Sequence, residues 1–136
     1  MNAAIRLIFI CLMYILLSGI DNNVKSQSLQ FCENVSSNGS PIAESSVFTI
    51  NEKGGFLKFL VTLPFTVGTQ SVNFEIYKID AEGNENYEST LNHIVDPSWT
   101  WFWKEVTFYS AGRYSVYVYD GDKNFLASSQ VRIQFY

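Results

Sequence analysis

Histidine occurs once in the 136 residues, cysteine twice and proline three times. One histidine and two cysteines cannot supply the three or four converging ligands of a zinc centre. Basic residues are also few: nine Lys and Arg stand against thirteen Asp and Glu, scattered along the chain, for a formal charge of −4. The clustered cations that displace counterions from a phosphate backbone are missing, so nucleic acid is excluded as a partner. Charged residues make up 16% of the chain, below the roughly 25% of average soluble domains. No stretch carries apolar residues at helical spacing, and no segment repeats. What the chain has instead is aromatic and aliphatic side chains, 16% Phe, Trp and Tyr within a 47% hydrophobic total. That composition folds, and it favours strands.

The longest apolar run, Leu7 to Ile20, spans 14 residues behind a single positive charge at Arg6. A membrane-crossing helix needs about 20. Followed by a polar stretch with Val24 and Ser26 at the two small-residue positions, residues 1–26 read as a secretory signal cut before Gln27. Export to a secreted or periplasmic location is therefore expected, with no stable membrane anchor after cleavage. No cysteine stands where a lipoprotein would be acylated, since Cys11 lies inside the run and Cys32 well beyond it. The remaining chain has 7 basic and 12 acidic groups, net −5, and one cysteine. An internal disulfide is then impossible, and the core must hold the domain alone. Cys32, beside Phe31, reads as a small apolar residue of a first strand, with intermolecular pairing as the other reading. Asn34-Val35-Ser36 and Asn38-Gly39-Ser40 match the glycosylation acceptor pattern.

Residues 27–45 read as a flexible lead-in or first strand, with Ser, Asn, Gly and Pro41 concentrated from Asn34 to Ser46. Period-two patterning follows over Ser46–Ile50, Phe56–Leu63, Val72–Ile79, Asn86–Leu91, Trp99–Phe108, Gly112–Tyr119 and Phe125–Phe135. The last two face each other across Asp120 to Asn124 as a hairpin. About seven short strands over residues 46–136 predict an all-β antiparallel sandwich, with a small barrel as the competing architecture.

The run Ser110-Ala-Gly112-Arg-Tyr114-Ser-Val116 resembles the entry to strand F of immunoglobulin-like and fibronectin-type domains. The resemblance implies that Tyr114 occupies the corner between strands E and F, its ring in the core and its hydroxyl bonded to upstream backbone. The antibody-type disulfide and its tryptophan are absent, because Val116 and Phe74 stand in those places. Such sandwiches serve many functions, so function has to be argued from sites.

Three constellations qualify. Strict alternation with Val106 and Phe108 inward sends Trp99, Trp101 and Trp103 outward, a row of indoles suited to sugar rings or to a protein surface. The same alternation turns Lys104 inward, and a bulge near it would instead bury one or two of the rings. Tyr77, Tyr117 and Tyr119 form a second face if strands C and F are neighbours, either an interface or a ladder that stabilises the sheet. Asp120-Gly-Asp122-Lys-Asn124 has oxygen ligands at alternate positions, and Asp96 belongs to the same end, yet the closing Glu of a calcium loop is missing and a hairpin turn explains it more simply. His93 reads as a solvated loop side chain with no nucleophile paired to it. The resulting expectation is a non-enzymatic binding or adhesion module without cofactor, recognising protein or carbohydrate. The alternative is a small-ligand carrier or small hydrolase with a barrel interior.

Overall fold

The computed structural model describes residues 26–136. The expected export segment thus lies, but for Ser26, outside the described residues. The described residues form ten strands and no helix. They are β1 (Ser28–Cys32), β2 (Asn34–Val35), β3 (Pro41–Ile42), β4 (Val47–Ile50), β5 (Gly55–Thr62), β6 (Ser71–Ile79), β7 (Glu85–Ile94), β8 (Trp101–Phe108), β9 (Gly112–Asp120) and β10 (Phe125–Phe135). All seven strands read from the alternation are present as β4 to β10. The additional three arise from the segment read as a lead-in or first strand, where β1 joins a sheet and β2 and β3 pair as a short hairpin.

Two sheets carry the fold, one ordered β1-β5-β8 and the other β4-β10-β9-β6-β7. Every pairing is antiparallel except β4 with β10, which is parallel. The chain leaves β1 in the first sheet, makes the β2–β3 hairpin, and enters the second sheet as β4.

Period-two burial decides which side chains meet. Leu57, Phe59 and Val61 from β5 face Phe74, Val116 and Val118 from the second sheet, all fully buried in one cluster. Phe59 is central, with edge-on contacts to Phe31 at 5.1 Å and to Phe74 at 5.7 Å between centroids. Each such side chain removed from water contributes about 1.5–3 kcal/mol, and edge-to-face geometry adds to it. A filled layer of this kind is the interior of a sandwich.

Tyr114 closes the corner between β8 and β9. Its ring is buried against Phe108 at 4.9 Å, and its hydroxyl donates to the Ser110 carbonyl at 2.8 Å.

The two sides of the sandwich differ. Along one, β1 reaches across to β10 and Gln27 Nε2 donates to the Leu126 carbonyl at 2.9 Å. Along the other, β7 and β8 are the outermost strands of their sheets and do not pair.

Candidate functional site: the free edge of β8

The register of β8 on β5 is unbroken from Gly55↔Phe108 to Thr62↔Trp101. No bulge interrupts it, so alternation holds throughout: Phe102, Val106 and Phe108 are buried and Trp101 and Trp103 lie on the outer face. Just beyond the ladder, the Leu63 amide donates to the Thr100 carbonyl at 2.8 Å. In an antiparallel ladder bonded and non-bonded pairs alternate. The backbone groups of Phe102, Lys104 and Val106 are therefore turned toward β5, whereas those of Trp101, Trp103 and Glu105 point to the edge that has no partner strand among the described residues.

A groove of about 770 Å³ follows this edge, lined by the segment Ser98 to Glu105 and by His93. Its size falls within the roughly 300–1,000 Å³ of small-ligand sites. All three tryptophans contribute, in unequal ways. Trp99 precedes β8 in a turn closed by its amide on the Asp96 carbonyl at 3.0 Å, and it is 45% exposed. Trp103 is 39% exposed, with the Lys58 ammonium 4.1 Å from its ring centroid. Trp101 departs from the expected open row: the β2–β3 hairpin folds onto it. Gly39, with φ +82°, lies so close that a Cβ there would sit 2.6 Å from an indole carbon.

That hairpin covers the outer side of β5. Leu60 and Cys32 point away from the main core yet are fully buried. Cys32 is a free thiol, its Sγ 3.7 Å from the Lys58 carbonyl. Burial pushes its pKa upward. A thiol so placed is the small apolar residue of a first strand and is out of reach of a second chain.

His93 corrects the loop reading. It belongs to β7, paired with Val72, and its ring lies between Phe74 at 6.5 Å and Phe102 at 6.4 Å. Burial, and next the charge of Lys104, hold the imidazole below its ordinary 6.5, with a Trp103 backbone group pulling weakly the other way. The ring thus props the open side of the sandwich. Lys104 is the cation that the alternation turned inward; at the edge of the sheet it reaches the groove instead of the core.

The tyrosine face lies on the outer side of the second sheet. Tyr77 meets Tyr117 at 5.5 Å and Tyr87 at 5.7 Å, both edge-on, while Tyr119 turns to Phe125 at 6.0 Å. Tyr87, which the sequence reading did not single out, completes the cluster. The Tyr117 hydroxyl donates to both oxygens of Glu85, at 2.7 and 2.8 Å, and that bond raises its pKa. Desolvation and then Glu75 raise that of Tyr77. The rings meet across strands, as in a ladder that stabilises a sheet, and the Tyr117 hydroxyl reaches Glu85 of β7.

In the calcium-like run, the Asp120 carboxylate is occupied as well. Asp120 Oδ1 accepts from the amides of Asp122 and Asn124, both at 2.9 Å, and Oδ2 from the Asn124 side chain at 3.1 Å. Asp80 Oδ1 closes the turn Asp80 to Asn84 in the same way, from the amides of Glu82 and Asn84. Asp96 accepts from the amide and hydroxyl of Ser98 at 2.8 and 2.7 Å, which holds its carboxyl below the ordinary range. Among the described residues, Asp96, Asp120 and Asp122 do not form a group able to hold an ion. These are side-chain-closed turns.

No protein-family model and no curated protein matches the chain. Solved structures similar to it include an immunoglobulin-like protein from Pseudomonas aeruginosa, 11% identical over 83% of this chain and 100% of that one, TM-score 0.49. A CARDB domain from Pyrococcus furiosus in complex with di-metal ions is 11% identical over 82% of this chain and 93% of that one, TM-score 0.41. A superoxide reductase (neelaredoxin) from Ignicoccus hospitalis is 5% identical over 79% and 83%, TM-score 0.41. At these identities the likenesses concern folds. Sheet orders of β1-β5-β8 and β4-β10-β9-β6-β7, together with the Tyr114 corner, make the described residues an immunoglobulin-like β-sandwich.

Proposed function

We propose that the protein is an exported, non-enzymatic binding module that holds part of a macromolecule, protein or glycan, in the groove along β8. The observation that carries this reading is the convergence of Trp99, Trp101 and Trp103 on one open groove beside a strand edge that is unpaired among the described residues. Tryptophan is the side chain most often found to dominate binding energy at interfaces, and its flat ring suits sugars equally. Binding is favoured over catalysis because His93 is packed between two phenylalanine rings with its charged form disfavoured. Export rests on the pattern of residues 1–26. Titrating panels of oligosaccharides and of extended peptides while following tryptophan fluorescence tests the site. A saturable change, lost in Trp103→Ala and in Trp99→Ala, is the expected result; saturable binding that survives both substitutions places the site elsewhere and defeats the reading.

A further inference from the structure

Resting on that reading, we infer that the ligand is an extended polypeptide segment that adds to β8 as a fourth strand and presents an Asp or Glu side chain to Lys104. Two observations carry this. First, the groove is bordered by backbone donors and acceptors of Trp101, Trp103 and Glu105 at the two-residue spacing a neighbouring strand would match, with the His93 ring meeting one of the Trp103 groups. Sugar hydroxyls have no such repeat. Second, the inner face of that edge carries a cation. An inward-pointing charge on an edge strand discourages pairing with an apolar strand, because the charge would be covered without a partner. A strand with a carboxylate at the facing position removes that penalty and satisfies the ammonium. Lys104 therefore acts as a selector.

The same charge argues against a second copy as the occupant. When two β8 strands pair edge to edge in antiparallel fashion, the residue facing Lys104 comes from its own side of the strand, where Phe102, Val106 and Phe108 stand. None is acidic. Antiparallel self-pairing leaves Lys104 uncompensated, whereas a foreign segment with an apolar and an acidic residue two positions apart meets Phe102 and Lys104 in turn. On the outer face the incoming strand would lie beside Trp101 and Trp103, where β-branched or aromatic side chains make favourable cross-strand pairs.

The test uses blocked nine-residue peptides of alternating Val and Thr with one Asp on the Lys104-facing side, a twin with Lys in that place, and a third N-methylated on the amides that would bond to β8. Dissociation constants and amide exchange of Trp103 and Glu105 are followed by NMR, beside an oligosaccharide panel. The Asp peptide is expected to bind about fivefold or more tightly than its Lys twin, a ratio set by one opposite-charge cross-strand pair. Lys104→Glu is expected to invert that order, N-methylation to abolish binding, and the Trp103 and Glu105 amides to exchange more slowly in the complex. Equal binding of the N-methylated peptide, or an order unchanged by Lys104→Glu, overturns the inference. Oligosaccharide binding in the groove with all peptides silent overturns it while leaving the binding module standing. Silence of both panels defeats both.

Discussion

The ammonium of Lys58 lies 4.1 Å from the ring centroid of Trp103 and, at 2.8 Å, donates to the side-chain oxygen of Asn34. One cation on β5 thereby joins the hairpin strand β2 on one side to the wall of the groove on the other. A cation over an indole is worth about 0.5–1 kcal/mol at a partly exposed site. Lys58→Met keeps the aliphatic stem and removes both contacts. We expect a loss of about 1 kcal/mol in denaturant unfolding, with faster amide exchange in the hairpin from Asn34 to Ile42. Unchanged exchange there would show that Lys58 does not hold the hairpin down.

Gly39 is required where it stands. Its φ of +82° is costly for any residue with a Cβ, and that Cβ would come 2.6 Å from the Trp101 ring. Gly39→Ala is expected to cost about 1–2 kcal/mol from backbone conformation alone and to push Trp101 outward. A red-shifted tryptophan emission together with a lowered unfolding midpoint would report both effects; an unshifted spectrum would mean the hairpin moves instead of the ring.

Removing only the hydroxyl of Tyr114 separates corner from core. In Tyr114→Phe the ring still packs on Phe108, but the Ser110 carbonyl loses its side-chain donor and the Ser110 hydroxyl keeps only Lys78. Leaving a part-buried acceptor unpaired costs about 1–3 kcal/mol. Chemical unfolding should show that loss with an unchanged denaturant slope, since no further surface is exposed in either state.

His93 makes stability depend on mild acidity. Its folded pKa lies below its ordinary 6.5, so the unfolded chain binds the proton more readily. Its contribution is complete above about 6.5 and is lost as pH falls from there through the folded value. Between pH 7.5 and 5, above the range where Asp80 and Asp96 titrate, unfolding free energy should decline, and His93→Gln should flatten that decline. A slope identical in the variant would assign it to other groups.

Cys32 behaves in the opposite sense. Its raised pKa means that stability present at neutral pH is lost as pH rises through the folded value above 9.0. The practical readout is reactivity: a thiol reagent at pH 8 should label the native protein far more slowly than the same chain in denaturant, because the thiolate and its access both require opening.

Much of the architecture was legible because strand burial is a local, period-two property. Leu57, Phe59 and Val61, or Val72, Phe74 and Ile76, announce a buried face through their own spacing, and Gly112 with Tyr114 announces the corner. The hairpin from Asn34 to Ile42 escaped because Ser, Asn and Gly carry no apolar period; only Leu60, an apolar residue on the outward side of β5, hinted that something must cover it. His93 escaped because the strand read over Asn86–Leu91 ends just short of it, and the nearby Asn92, Asp96 and Pro97 carry the signals of a loop.

The order of residues by itself determined that the chain makes strands, which side chains each strand turns inward, and that tryptophans flank Lys104 on one of them. Those follow from backbone pleat and the preference of apolar atoms to leave water. Tertiary structure alone decided that β8 ends its sheet, that the β2–β3 hairpin lies over Trp101, and that Lys104 meets a groove in place of a core. Pairing between strands far apart in the chain is settled by the packing of whole faces, and no local pattern records which edge is left open.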